Sequence, residues 1–173
     1  MEVVFMRHGK AEPRSDAKPD FERELTSIGR KKVKQAARGL AHCLYNGRDI
    51  RIWSSPVKRA LQTAELLRGA FGKKIKVQVM DAIANGDFPE IQTEWSKLPH
   101  PDVLVIVGHE PLLSEWTKKL SDTALTFRPA SATAILIDDP EQPNGSLAWF
   151  MRSGVLARLC PPVCPHRRQR VQA

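Results

Sequence analysis

The chain has 173 residues, of which 42% are hydrophobic and 27% charged, and this composition indicates a soluble globular protein. Its three cysteines are too few for a disulfide scaffold, and no apolar run approaches the ~20 residues of a transmembrane helix. The formal net charge of +8 favours anionic partners: phosphorylated substrates, acidic proteins, nucleic acid or a membrane surface. With no signal-peptide pattern in its first residues, we expect a cytoplasmic protein.

The first third of the chain predicts a strand, a loop and a helix. Residues 3–6 are apolar and β-rich, and they indicate a short buried strand. Residues 10–24 are polar, contain two prolines and predict a loop. Thr26 is then placed to cap a helix that continues to about Tyr45, because apolar residues recur at helical spacing after it.

The middle of the chain repeats this alternation. Residues 50–53 predict a second strand, and residues 54–56 predict the start of a helix, with both serines as capping residues and Pro56 in the first turn. That helix is expected to end at Gly72, and residues 75–80 predict a third strand.

The last part of the chain completes the pattern. Residues 89–98 predict a short helix, and residues 103–107 are the most apolar run, as expected of a central parallel strand covered on both faces. A helix to about Leu120 and two late strands at 132–137 and 147–151 follow.

This order of elements predicts an α/β fold with three layers, α/β/α, around a mostly parallel central sheet. We expect a single domain over residues 1–152, with few insertions between its core elements. Residues 153–173 include a Pro- and Arg-rich segment from Pro161, and we expect them to form a flexible basic tail.

Residues suited to binding an anion follow three of the predicted strands. Arg7, His8 and Gly9 follow the first strand, Ser55 and Arg59 follow the second, and His109 follows the most apolar one, as the sequence shows. In such sheets ligands bind beyond the carboxyl ends of the strands. The pattern therefore places two histidines and two arginines where an anion would sit.

These residue types suit phosphoryl transfer. A neutral imidazole can attack phosphorus and carry the phosphoryl group as a phosphoramidate. Arginine offers a rigid fork of donors matched to phosphate oxygens, and a protonated second histidine adds a donor for charge that builds in the transition state. Because this reaction depends mostly on positioning and electrostatic stabilisation, the set can work without a metal or cofactor.

Four motifs in this order resemble the histidine phosphatase superfamily. They are Met6–Ala11 (MRHGKA), Leu25-Thr26-x-x-Gly29, residues 54–64 (SSPxxRAxQTA) and residues 107–111 (VGHEP). The branch that the chain resembles most is the compact phosphohistidine phosphatases of the SixA type, and the resemblance covers about residues 1–152. It implies a phosphoglycerate mutase-like fold, although Lys10 departs from the mutase branch, which usually has Glu or Ser there.

The resemblance also implies roles for individual residues. His8 would be the nucleophile, Arg7 and Arg59 would clamp the phosphate, and His109 would complete the pocket, with Gly9 and Ser55 close to the substrate. No metal is implied. The partner would be a phosphorylated protein of the histidine-phosphotransfer type or a small phosphate ester, with no membrane or nucleic acid involved.

The general acid is less well defined. Glu110 is the first candidate, and Asp81 and Asp87 are others; stabilisation of a helix dipole is the alternative role for Glu110. SixA-like members lack a dedicated acid, which suits phosphohistidine, because a phosphoramidate nitrogen can be protonated as it leaves, whereas an alkyl ester gains more from a placed acid. The sequence therefore favours a protein-phosphohistidine phosphatase.

Other functions stay open. Within the same superfamily the alternative is a small-molecule phosphomonoesterase, and outside enzymes it is a noncatalytic phosphate-binding module. The dispersed basic residues do not match a nucleic-acid-binding motif. Cys160, Cys164 and His166 offer possible metal ligands at a poor spacing, and a flexible tail explains them better.

Overall fold

The computed structural model describes residues 1–44, 46–72, 74–99, 101–139 and 144–160. In these residues the strands are β1 (Glu2–Arg7), β2 (Ile50–Ser54), β3 (Val77–Val79), β4 (Val103–Gly108), β5 (Ala132–Ile137) and β6 (Gly145–Met151). The α-helices are α1 (Ser27–Leu44), α2 (Lys58–Phe71), α3 (Asp81–Asn85), α4 (Phe88–Ser96), α5 (Leu112–Ser121) and α6 (Ser153–Leu159). A 3₁₀ turn covers Asp20–Glu22.

The strands form one sheet in the order β3-β2-β4-β1-β5-β6. The first four in this order are parallel, and β5 and β6 add an antiparallel hairpin at the edge. Arg7 pairs with Gly108, and Ser54 pairs with Val107, so three neighbouring strands end at the same level. The predicted α/β class with a mostly parallel sheet is confirmed.

Helices cover both faces of this sheet, as predicted. On one face α1, α2 and α6 bury a cluster that includes Leu40, Leu67 and Leu156. On the other face α3, α4 and α5 bury a cluster that includes Ile91 and Trp116. All six residues of β4 are buried because the strand lies between the two clusters, which explains its continuous apolar sequence.

The start of α1 follows the local sequence signal. Gly29 N donates to Thr26 Oγ1 at 3.0 Å, so Thr26 is the capping residue that the sequence predicts. The apolar positions that recur at helical spacing are also its buried face: Val33, Ala36, Ala37, Leu40, Ala41 and Leu44. The predicted end at Tyr45 lies outside the described residues, and the described helix ends at Leu44.

The start of α2 differs from the prediction. Ser54 belongs to β2, and Ser55 N donates to Val107 O at 3.1 Å, so the strand pairing continues where a helix was expected. The helix begins at Lys58 with Val57 as its N-cap residue and no side-chain cap. The capping roles predicted for the two serines are therefore wrong, because these residues extend the sheet.

Two helices were not predicted, and one of them extends the domain. The short helix α3 follows β3, and α6 lies beyond the predicted domain boundary at residue 152. Leu156 of α6 is fully buried against α1, where Gly39 has no Cβ to collide with the Leu156 carbonyl oxygen. Residues 153–159 therefore pack as part of the fold, and residues 161–173 lie outside the described residues.

Candidate active site

The three strand ends bring the predicted residues together. His8 N donates to Gly108 O at 3.1 Å, which joins the first residue after β1 to the end of β4. The rings of His8 and His109 lie side by side, with 5.1 Å between their centroids. Arg59, in the first turn of α2, reaches the same point. The parallel strand register thus builds a cluster of imidazoles and guanidinium groups at one edge of the sheet.

The His8 ring is held in one tautomer. Its Nδ1 lies 2.7 Å from Gly9 O, and because a carbonyl oxygen only accepts, Nδ1 carries the proton. Nε2 therefore keeps its lone pair, to which Arg59 Nε donates at 3.2 Å. The residue is only 9% exposed, and burial is the main cause that lowers its pKa to about 3, with repulsion from His109, Arg59 and Arg7 adding to it. His8 is a neutral imidazole at pH 7.

Arg59 is held by the loop that precedes α1. Its Nη1 donates to Asp20 O at 2.7 Å and its Nη2 to Asp20 Oδ2 at 3.0 Å. Burial opposes ionisation of Asp20, but Arg59 and Arg23 outweigh it and lower the Asp20 pKa. Asp20 is a site residue that the sequence does not predict, because a lone aspartate in a polar loop carries no local sign of a partner 39 residues away.

Arg7 is held differently, by the backbone of the linker before β5. Its Nη1 donates to Phe127 O at 2.7 Å. Its Nε is buried and has no hydrogen-bond partner in the part of the chain that the structure describes. Burial lowers the Arg7 pKa and attraction to Glu110 opposes this, so the guanidinium stays charged at neutral pH.

Glu110 braces the same linker from its other side. Its Oε1 accepts from Phe127 N at 2.6 Å, and both its oxygens accept from Ser114 Oγ at 2.7 and 2.8 Å. Arg7 and Glu110 therefore grip the carbonyl and the amide of one residue. Both carboxyl oxygens of Glu110 are therefore engaged in bracing the linker before β5.

The other two candidate acids lie at the starts of helices α3 and α4. Asp87 is the N-cap residue of α4, where its side chain accepts from Glu90 N at 3.0 Å. Asp81 is the exposed first residue of α3. Neither forms a hydrogen bond with His8 or His109 among the bonds of the described residues.

His109 lies between the arginines and Ser55. Its Nε2 is 2.8 Å from Ser55 Oγ, so Ser55 positions the ring instead of capping α2. Its Nδ1 is buried and unpartnered among the described residues. Burial, and then repulsion from Arg59, lower the His109 pKa to about 4. His109 is therefore neutral in this structure, in contrast to the protonated ring considered from the sequence. A bound anion would raise the His109 pKa.

Gly9 has an internal hydrogen bond. Its N–H donates to Thr63 Oγ1 at 3.1 Å, and Thr63 Oγ1 donates to Arg59 O at 2.8 Å. A Cβ at Gly9 would collide with Val33 of α1. This glycine therefore allows close packing and ties the loop after β1 to α2, and its N–H is not available to a substrate in this arrangement. Lys10 is exposed.

Other features of the described chain bear on ligands. Within the residues given above, no three His, Cys, Asp or Glu side chains cluster as they would to hold a metal ion. The described helices include none that is long and apolar enough to cross a membrane. Cys164 and His166, considered above as metal ligands, lie outside the described residues.

Comparisons with known proteins identify a matching family and a relative. The family model of the histidine phosphatase superfamily (branch 1) matches residues 3–111. An uncharacterized protein of Picosynechococcus sp. is 36% identical over 126 residues, which cover 70% of this chain and 73% of that protein.

Solved structures show the same fold. The protein histidine phosphatase SixA, complexed with tungstate, superposes with a TM-score of 0.72 at 23% identity, over 90% of this chain and 99% of that chain. The phosphoserine phosphatase of Entamoeba histolytica superposes with a TM-score of 0.64 at 14% identity, over 87% of this chain and 96% of that one. At these identities the likeness concerns the fold.

Proposed function

Since the chain belongs to the histidine phosphatase superfamily, branch 1, we propose that it is a metal-independent, SixA-type phosphatase that removes the phosphoryl group from phosphohistidine in proteins. The family match confirms the histidine-type phosphatase class predicted from the sequence. One observation carries the proposal for the mechanism: His8 Nε2 keeps an unprotonated lone pair at hydrogen-bond distance from Arg59, with the charge of Arg7 also nearby.

In the first step His8 Nε2 attacks phosphorus. The bond from phosphorus to the substrate imidazole breaks, its electron pair stays on the substrate nitrogen, and that nitrogen takes a proton from solvent water as it leaves. The Nδ1–H bond to Gly9 O supports the charge that His8 gains as it becomes phosphorylated. In the second step water attacks the phosphoryl group, and inorganic phosphate leaves His8.

The site must also stabilise the negative charge of the transferred phosphoryl group. Arg7 and Arg59 supply guanidinium donors, and His109 supplies a neutral ring whose buried Nδ1 has no partner among the described residues. As the phosphoryl group enters, Arg59 Nε exchanges its bond to His8 Nε2 for one to a phosphoryl oxygen, which frees the attacking lone pair. Preorganised cations of this kind account for most of the stabilisation that phosphoryl transfer needs.

The surroundings of Glu110 support phosphohistidine as the substrate. Its carboxylate accepts hydrogen bonds from Phe127 N and Ser114 Oγ, so we assign it a positioning role and no proton transfer. An imidazole leaving group takes up a proton more readily than an alkoxide. A site without a placed acid therefore suits phosphohistidine better than an alkyl phosphate.

The proposal is tested with a phosphohistidine peptide, an aryl phosphate and an alkyl phosphate, all assayed in EDTA. We expect turnover of the phosphohistidine peptide by the wild type, and a loss of about 1,000-fold or more in His8→Ala. His42→Ala, which removes an exposed histidine of α1, is the matched control and should keep full activity. Radiolabelled phosphate should be trapped on the wild type and absent from His8→Ala.

Two outcomes would contradict the proposal. Equal activity of wild type and His8→Ala would exclude His8 as the nucleophile. A higher kcat/KM on the alkyl phosphate than on the phosphohistidine peptide would favour a small-molecule phosphomonoesterase.

A further inference from the structure

A groove of about 440 Å³ lies beside the candidate active site, between α1, α6 and the linker before β5. Four cationic side chains line it: Lys32, Arg128, Arg152 and Arg158. Its lining also includes Val155, which is 46% exposed although it is a large apolar residue. The groove thus combines an apolar patch with four positive charges.

These four cations differ from the basic residues on the other side of the site. Arg14 and Arg23 pair with Asp20, and Arg30 pairs with Glu24. None of the four groove cations forms an ion pair with any residue that the structure describes. All four are exposed. Their charge is therefore available to an external anion.

The groove and the active site share one short segment of backbone. Phe127 O accepts from Arg7, and the next residue, Arg128, lines the groove. Ala130 N donates to both Arg7 O and His8 O, and Ser131 donates to Arg128 O through its N–H and its hydroxyl. Arg128 also lies close enough to Arg7 for repulsion between them to lower the Arg7 pKa, so this segment links the lining of the groove to the candidate active site.

Charge narrows the choice of occupant. Residues 161–173 of the chain contain no Asp or Glu and several arginines, so the chain's own C-terminal segment does not complement the groove. A second copy with a formal charge of +8 would be repelled. A segment with carboxylates and one or two apolar side chains matches both the four groove cations and Val155.

We infer that this groove docks an acidic segment of the phosphoprotein substrate while its phosphorylated residue enters the site at His8. The inference rests on the proposed function, because it requires a protein as the substrate. Docking of this kind raises kcat/KM through substrate binding and leaves the chemical step unchanged.

The test uses two synthetic phosphohistidine peptides that differ only in flanking residues, which are Glu and Leu in one and Gln and Leu in the other. The variant R152E/R158E reverses two groove charges, and K31E/K34E makes the same charge change on exposed positions of α1 that do not line the groove. We expect R152E/R158E to raise KM for the acidic peptide about tenfold, with kcat and aryl phosphate hydrolysis unchanged. The neutral peptide and K31E/K34E should change by less than about twofold.

A binding measurement separates this inference from the proposed function. Fluorescence anisotropy with the unphosphorylated acidic peptide should show about tenfold weaker binding to R152E/R158E than to the wild type, even if no phosphohistidine peptide is hydrolysed. Equal losses in the two double variants, or equal KM values for the two peptides, would overturn the docking site. Tighter binding of a single-stranded oligonucleotide than of the acidic peptide would overturn it in favour of nucleic acid.

Discussion

Arg7 and Arg59 both lie close enough to His8 and His109 to repel their protonated forms, but the protein holds the two arginines in different ways. Three donor atoms of Arg59 are engaged, by His8 Nε2 and by the carbonyl and carboxylate of Asp20. Arg7 has one acceptor, Phe127 O, and a buried Nε with no partner among the described residues. The donor atoms of Arg59 are therefore already hydrogen-bonded before a phosphoryl group arrives, whereas Arg7 has a donor, Nε, that no described residue accepts from.

This difference suggests a division of labour. Arg7 is braced by buried backbone and suits permanent recognition of a phosphate oxygen. Arg59 contacts both His8, the proposed nucleophile, and an exposed aspartate, so we expect binding of a phosphoryl group to exchange its partners. The following predictions test this contrast.

The largest expected effect comes from removing either guanidinium. We expect Arg7→Ala and Arg59→Ala each to lower kcat/KM by about 100- to 1,000-fold, with the larger loss in Arg59→Ala, because Arg59 also contacts His8 Nε2. Arg59→Lys should recover little, since an ammonium group cannot replace the planar fork. Steady-state kinetics measure this, and an Arg59→Lys variant with wild-type kcat/KM would disprove the role of the fork.

Lowering the pH should destabilise the folded protein because His8 and His109 take up protons more readily in the unfolded state. Unfolded His8 and His109 have an ordinary pKa of 6.5, and folding lowers these values to about 3 and about 4. The unfolded state therefore binds more protons as the pH falls below 6.5. As the pH is lowered from 6.5, the free energy of unfolding should fall by up to about 1.4 kcal/mol per pH unit for each of the two histidines.

Denaturant titrations between about pH 6.5 and about pH 5.5 measure this slope while the carboxylates of the unfolded chain are still almost fully ionised. Folding lowers the pKa values of Glu12 and Glu24 from 4.5, so these groups contribute mainly at lower pH. His8→Asn should remove about half of the slope, and the exposed His42→Asn should leave it unchanged. An unchanged slope in His8→Asn would mean that His8 titrates normally.

Glu110 variants test the support of Arg7. We expect Glu110→Ala to lower the free energy of unfolding by about 1–3 kcal/mol and kcat/KM by about tenfold, because Phe127 N loses its acceptor and the linker that holds Arg7 loosens. Glu110→Gln keeps a carbonyl oxygen and should retain activity within a few-fold. A collapse of activity on phosphohistidine in Glu110→Gln at wild-type stability would instead identify Glu110 as the general acid.

The smallest effect concerns Asp20 and Arg59. We expect Asp20 to compete with phosphate for the Arg59 guanidinium, and only weakly, because its side chain is about half exposed. We expect Asp20→Asn to bind inorganic phosphate about threefold more tightly than the wild type in product-inhibition assays. Asp16→Asn, in the same loop, is the control. Weaker phosphate binding in Asp20→Asn would show that Asp20 orients Arg59 instead of competing for it.

The parts of the fold that were predicted are those with a local cause. Thr26 caps α1 as expected because its hydroxyl bonds to an amide three residues on. The apolar run of β4 indicated a central strand because both of its faces are buried. His8, Arg59 and His109 were brought together correctly because the carboxyl ends of parallel strands share one edge of a sheet.

The missed features depend on contacts between distant segments. Asp20 matters through Arg59, and the Phe127 backbone matters through Arg7, and neither position has a distinctive local pattern. Ser55 looks like a helix cap in the sequence, but its amide pairs with β4. The helix α6 was assigned to the tail because its seven residues are too few for a clear periodicity, although Leu156 fits closely against Gly39.

The register between β1 and β4 has one more consequence. Because Arg7 pairs with Gly108, the residue that follows each strand is a histidine, and the backbone hydrogen bond from His8 N to Gly108 O fixes that spacing. A single-residue insertion or deletion inside either strand would move one imidazole along its strand and to the opposite face, without replacing any reactive side chain. In evolution and in protein design, this chemistry is thus inherited with the alignment of two strands, and transplanting it calls for copying that alignment before copying the residues.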